Sequence, residues 1–354
     1  MAYTTIDDPS AYFQTKLYTG TQQSHAITLD GNSDMQPDWV WIKCRDDSHN
    51  HQVFDSVRGV HKRMRTDTTG AETTSSESLK SFDSDGFTLG TQQNVYASAN
   101  NDNSFVAWNW KAGTAFSNDA SSTSVGTIDS VGSFNNDSGF SIVTYSGTGS
   151  NGTIKHGLNS VPKIIFWKRR DNNAGGVNWI VQSTLFGNQT KLVLNTTEAF
   201  STGSAFSQTD NWTSALIDLK TYEGQNASNG TYVAYCFAEK KGYSKFGSYT
   251  GNGNADGAFV YTGMKPSLVI VKCSSDTGNW VMFDNKRDGY NQQNNHVFSN
   301  TNGAEVSNNA DYKLDFLSNG FKFRGNSGDI NGAHTYAYMA FAEAPFVTST
   351  GVPT

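Results

Sequence analysis

Few of the residue types best able to do chemistry cluster in this 354-residue chain. Asp83 and Asp85 precede Gly86 in SFDSDGFTLG, as at the start of a calcium loop, where alternate carboxylates converge on the cation. The set stops at two carboxylates and lacks the downstream Glu. A similar stretch later in the chain reads Leu317, Ser318, Asn319, Gly320. What recurs is Asx-Gly between aromatics, which is the chemistry of a hairpin turn. His49 and His51 form a close pair in a polar loop without a third ligand, and read as surface histidines rather than a metal site. The basic run Arg58 to Arg65, RGVHKRMR, reads as a solvated loop or strand edge, because a phosphate-binding face needs a wider cluster of Lys and Arg. Cys44, Cys236 and Cys273 make an odd count without a short framework. They point to free thiols in a protein made in a reducing compartment.

A nucleophile elbow, a phosphate-cradling Gly-rich loop, a His-Glu-x-x-His helix and zinc-spaced cysteines are all missing from the sequence. Paired carboxylates for glycoside hydrolysis leave no linear signature, and nothing singles out a pair. The reading therefore assigns no catalytic, cofactor-binding or metal residue, expects no cofactor, and leaves the ligand-binding residues unknown. Sequons at Asn136, Asn151, Asn188, Asn195, Asn211, Asn226 and Asn229 follow from composition in a chain whose start, MAYTTIDD, has no basic or apolar leader.

The elements that would hold such residues are strands. Only 16% of residues are charged, yet mean hydropathy is −0.53, so the polarity comes from Asn, Ser, Thr, Gly and Gln, which favour turns. Asn-Gly, Asp-Gly and Ser-Gly pairs punctuate runs of Val, Ile, Phe, Tyr and Trp, the pattern of many short strands joined by tight turns. No window carries a sustained 3.6-residue apolar period or heptads, which predicts minor helix and no coiled-coil stalk. A net charge of −6 argues against a nucleic-acid partner. No run reaches the ~18 apolar residues of a membrane span.

Three patterns recur. An opening run appears at Phe13–Gly20, Phe140–Gly149 and Phe246–Gly253; a Pro-to-Lys run at Pro37–Lys43, Pro162–Lys168 and Pro266–Lys272; and a closing aromatic run at Phe105–Gly113, Tyr232–Glu239 and Tyr336–Glu343. Lys43, Lys168 and Lys272 are 125 and 104 residues apart, which predicts repeats of about 105 residues sharing one topology. Trp39, Val40, Trp41 and Ile42 alternate with both faces apolar, as in a strand buried between layers. The motif Val53–Gly59 (VFDSVRG) returns at Val281–Gly289 (VMFDNKRDG) but not in the middle copy.

The fold expected is all-β, with three tandem β-sandwich (jelly-roll-like) repeats. The first, with a short lead, spans 1–116, the second 139–243, and the third, with a short tail, 244–354. Residues 117–138, within the Ser, Asn and Gly-rich Gly113–Ser138 stretch, would be a linker or docking arm. There Val125, Ile128, Val131 and Phe134, spaced by three, could form an adhesive stripe. The six residues Lys240–Lys245 should hold the second and third repeats as close neighbours.

IDDPSAYFQTKLYTG, QPDWVWIK, FDSVRG, GFSIVTYSGTGSNGTIKHGL, TYVAYCFAEKKGYSKFGSYTGNGNADG and YMAFAEAPF together resemble a repeat-containing family of tailed-bacteriophage virion proteins. It is common in marine and environmental phages and often labelled tail fibre or structural protein. The resemblance covers nearly the whole chain and carries over no catalytic residue. It implies a non-enzymatic virion surface protein, made in the host cytoplasm, that attaches as a tail fibre or tail tip to host-surface glycans. Two alternatives are a capsid decoration or tail-assembly protein without a receptor, and a capsule-degrading glycan hydrolase. The partners implied are other phage virion proteins, further copies of the chain and, in the adhesion reading, a host-surface glycan.

Overall fold

The computed structural model describes residues 3–92, 95 and 103–354, leaving Met1 and Ala2 of the lead outside. The described chain is all-β. Its α-helices are single turns, Ala120–Thr123 and Glu223–Asn226, and no helix is long and apolar enough to cross a membrane. Three large antiparallel sheets dominate, and the same strand order runs through each. Opening strands Phe13–Thr19, Phe140–Ser146 and Ser244–Thr250 pair with closing strands Ser104–Trp110, Thr231–Phe237 and Thr335–Pro345. These pair in turn with lysine strands Trp39–Cys44, Ile164–Arg169 and Met264–Cys273, and then with Gln52–Asp55, Ile180–Ser183 and Trp280–Asp284. Lys43 lies opposite Val106, Lys168 opposite Val233 and Lys272 opposite Ala337, which is the same register three times.

The third opening strand is offset from its motif. Tyr18, Tyr145 and Tyr249 face Phe105, Tyr232 and Tyr336, so Ser244, not Phe246, occupies the place of Phe13 and Phe140. The shared Phe-to-Gly spelling is two residues out of step there.

Each large sheet is apolar on both faces, because side chains alternate along a strand. Trp39 and Trp41 enter a central cluster, while Val40 and Ile42 enter an outer one with Phe87 and Leu89 of a small three-stranded sheet. All four are at most 1% exposed, as the apolar alternation predicts. Small sheets cover the outer faces of the second and third large sheets in the same way. The inner faces of all three share the one central cluster. At its middle the three equivalent residues Trp110, Phe237 and Phe341 meet, with ring centroids 5.5–6.4 Å apart. The large sheets are therefore not beads on a string, since each completes the core of the other two.

Residues 117–138 are neither linker nor free arm. Thr114–Asn118 and Ser130–Asn135 form a hairpin that extends the second large sheet to eight strands through Phe140–Ser146. The Ser and Asn content serves turns: Asp119 caps the single helical turn through the Ser122 amide at 3.0 Å, and Asn118 holds Val125 O at 2.8 Å. Val125, Ile128, Val131 and Phe134 form no common stripe, as Ile128 and Phe134 pack on the outer core while Val131 is exposed.

The Asp83/Asp85 motif is a hairpin turn, with Asp83 opposite Gly86 as Leu317 is opposite Gly320. The Asp83 carboxylate accepts from Ser81 and Thr88, and Asp85 accepts from the Met35 amide. Gly86 has φ +110°, and a Cβ there would stand 2.0 Å from Ile27 O. Only glycine fits so close to the neighbouring strand.

Candidate functional site

The joints between the large sheets consume most of the buried charge. Lys43, Lys168 and Lys272 are fully buried, and each donates a hydrogen bond to a backbone carbonyl across a joint. Lys43 Nζ reaches Asn302 O at 3.3 Å, Lys168 Nζ reaches Thr69 O at 2.8 Å, and Lys272 Nζ reaches Thr197 O at 3.3 Å. Burial pushes Lys43 and Lys272 down to about 8 and Lys168 down to about 7. The residues at the adjoining strand position, His51, Trp179 and Trp280, send ring N–H groups the same way, to Phe298 O, Arg65 O and Val193 O at 2.7–3.1 Å. Trp41 Nε1 donates to His51 Nδ1, which leaves His51 Nε2 as the donor. The pattern closes head to tail: second sheet onto first, third onto second, first onto third.

Two joints carry matching ion clusters. At one, Asp55 pairs with Arg58, Tyr235 Oη donates to Asp55 Oδ2 at 2.6 Å, and Arg58 and Arg170 share Glu72. At the other, Asp284 pairs with Arg287, Trp108 Nε1 donates to Asp284 Oδ2 at 3.1 Å, and Arg287 and Arg45 share Glu305. Burial works against these charges, but Asp55, Tyr235 and Glu72 outweigh it and hold Arg58 above its ordinary value. Likewise the arginines hold Glu72 and Glu305 below theirs despite burial. The third joint carries no charged group at the same positions. Ser183 stands in place of Asp55, Phe186 in place of Arg58 and Met339 in place of Tyr235; Phe200, whose amide donates to Ser274 O, stands in place of Glu72. Phe186 and Phe200 pack at 5.4 Å. The third joint thus has neither the Asp-x-x-Arg pair nor the groups that engage it at the other two.

Buried neutral histidines make the fold acid-sensitive. Burial, partly offset by the Thr213 carbonyl, lowers His156 to about 4; burial and Arg287 lower His296 to about 4. In the unfolded chain both titrate near 6.5, so the unfolded state binds more protons between those values. Stability is then fully present above about pH 6.5 and is lost as pH falls toward 4, on the order of 2–3 kcal/mol per histidine. Thermal melts from pH 7 to 4 should show a steadily falling Tm, and a flat profile contradicts this reading.

Outside the joints, an open cleft lies along the seam between the first and third large sheets. Two adjoining hollows of about 160 and 380 Å³ share the wall Asn285, Lys286 and Glu343. Thr15 Oγ1 and Asn285 Oδ1 in the first, and Asn285 Oδ1 and Gln293 Oε1 in the second, are buried without a hydrogen-bond partner. Tyr290 stands at the second hollow, 76% exposed. The arrangement presents an exposed aromatic face beside a polar wall.

A family described as a domain of unknown function, DUF7483, matches residues 8–345. The chain belongs to the DUF7483 family. The match runs through all three large sheets, so the DUF7483 unit is the whole closed body. Neither the curated proteins nor the solved structures contain a match.

Within this DUF7483 chain, the residues singled out from sequence serve mainly the fold. His51 is not a surface histidine, because its ring is fully buried in a joint. Arg58 is not part of a solvated run, because its side chain is buried between Asp55 and Glu72, although Lys62–Arg63 does form a short edge strand. Cys44, Cys236 and Cys273 are free and buried. Among the described residues no three His, Cys, Asp or Glu side chains come together as a metal site. Tyr290, Asn285 and Gln293 carried no sequence signal beyond a turn-rich stretch, NKRDGYNQQ, whose Tyr could as well have been core.

Proposed function

We propose that this chain is a non-enzymatic surface component of a bacteriophage particle. In it, three tandem β-sandwich repeats of about 105 residues close on one another as an intramolecular pseudo-trimer. Its role is adhesion to host-surface glycans through the seam cleft. The sequence resemblance supports the particle, and the strand order repeated in the same register supports the repeats. The observation that carries adhesion is the open cleft with an exposed Tyr290 on a body whose other aromatics are mostly sealed in cores. Binding residues on loops held by a rigid scaffold are the usual arrangement for recognition.

A second reading, capsid decoration or tail assembly without a receptor, is favoured by the approximate threefold arrangement of Trp110, Phe237 and Phe341. A single chain of that shape fits a threefold position on a particle. Fluorescently labelled chain incubated with the host bacterium separates the two. Saturable binding abolished by periodate oxidation of the cells supports adhesion. Absence of binding, with the chain located on the capsid by microscopy, supports decoration. Release of reducing sugar from host polysaccharide would overturn the non-enzymatic reading.

A further inference from the structure

We propose that the chain pairs with a second copy of itself, strand to strand, through the open edge of the third large sheet, about a twofold axis at Tyr249. The inference goes beyond the particle and adhesion readings and depends on neither.

The opening strand Ser244–Thr250 has the closing strand on one side only. Along an antiparallel pair, alternate residues turn their N–H and C=O groups toward the partner strand. Gly251 N–H donates to His334 O at 3.0 Å and Ala342 N–H to Tyr243 O at 2.8 Å. Lys245, Gly247 and Tyr249 therefore face the closing strand, while Ser244, Phe246, Ser248 and Thr250 turn away from it. Ser244 and Phe246 are closed off, each 2% exposed. The Ser244 amide donates to Lys240 O at 2.8 Å and the Phe246 amide to Glu239 Oε2 at 3.3 Å. Ser248 and Thr250 are exposed. Among the described residues neither their outward backbone groups nor their hydroxyls have a partner.

The second large sheet shows what this edge accepts. Thr144 holds the place of Ser248 there, and its outward side is taken by Val131 of the hairpin strand Ser130–Asn135. In the first sheet Leu17 holds that place and packs on the central cluster. Only in the third sheet are both edge positions exposed. Proteins block free edges with charges, prolines or bulges. The open stretch, Gly247–Gly251, contains no charge and no proline, and Ser244–Thr250 pairs with the closing strand without a register shift.

The free groups are their own complement. Ser248 and Thr250 each present one N–H and one C=O. An antiparallel twofold at Tyr249 sets Ser248 of one copy opposite Thr250 of the other, and each pair exchanges both backbone hydrogen bonds, so no outward group of the open stretch is left over. The Ser248 and Thr250 side chains share a face and meet as cross-strand Ser–Thr pairs, which hydrogen-bond. Gly247 falls opposite Gly251 of the second copy, so no side chain crowds the backbones on either flank. The same patch serves on both copies, as a closed twofold dimer requires. Pairing over so short a stretch buries less than the ~1,000 Å² of a stable interface, so the dimer is reversible and grows with concentration.

Sedimentation velocity of the full chain from micromolar to about 1 mM tests this, and a monomer–dimer equilibrium is expected. The Ser248 N–H points away from the closing strand, where proline is tolerated. Ser248→Pro should therefore keep the parent melting temperature and weaken the dimer about tenfold or more. Register is tested by cysteines. Residues exchanging both hydrogen bonds have Cα atoms ~5.5 Å apart, within disulfide reach, and the three native cysteines are buried. An equimolar mixture of Ser248→Cys and Thr250→Cys chains should cross-link under mild oxidation far faster than either variant alone. A chain that stays monomeric to about 1 mM, a dimer that Ser248→Pro leaves intact, or a mixture that cross-links no faster than its components would each overturn the proposal.

Discussion

Trp110→Ala should lower stability by about 3–5 kcal/mol, the cost of deleting a large buried aromatic from a packed core. The indole is 1% exposed and packs against Phe13 and Trp39 of its own sheet, Phe237 of the second and Phe341 of the third, with centroids 4.6–6.4 Å apart. A cavity there opens at the meeting point of three sheets that cannot collapse inward independently. The destabilisation should appear in residues of all three sheets, measured as lost amide-exchange protection in the second and third as well as the first. Loss confined to the first sheet would mean that the central cluster does not couple them.

Arg58→Met should cost a similar amount, about 3–5 kcal/mol, because it strands buried Asp55 without its cation and leaves part-buried Glu72 with Arg170 alone. The loss comes from the uncompensated Asp55 carboxylate rather than from the net value of the pair, so a compensated variant should recover. Arg58→Phe combined with Asp55→Ser copies the apolar joint built from Phe186 and Ser183, and should be more stable than Arg58→Phe alone by at least about 1 kcal/mol. Denaturant titration of the three variants measures this. A double variant no better than the single one would show that Asp55 gains nothing from losing its charge, and that the apolar joint depends on more than these two positions.

Much of the fold was legible because strands and turns are local. The alternation in Trp39 to Ile42 predicted burial on both faces, and the Asx-Gly pairs predicted the hairpins at Asp83–Gly86 and Leu317–Gly320. What failed was non-local. Gly113–Ser138 looked like a linker because its composition cannot form a core alone, yet as a hairpin it needs only to add to an existing edge. The motif shared by Val53–Gly59 and Val281–Gly289 recurs visibly in the sequence, but its partners Tyr235 and Trp108 lie 180 and 176 residues away from Asp55 and Asp284, a separation no window of sequence connects. The same holds for the seam cleft, whose walls come from residues near 14, 30, 286 and 343. The absence of the motif from the middle stretch was visible in the sequence, but not that Phe186, Phe200 and Met339 stand where the other joints have an ion cluster.

Differential scanning calorimetry of the intact chain tests most directly whether the three sheets fold as one closed body. A single transition is predicted, with a van't Hoff enthalpy equal to the calorimetric one and on the order of 250 kcal/mol for a chain of this length. Separate transitions, each with a van't Hoff enthalpy of about 80 kcal/mol as expected for a unit one-third the size, would contradict it.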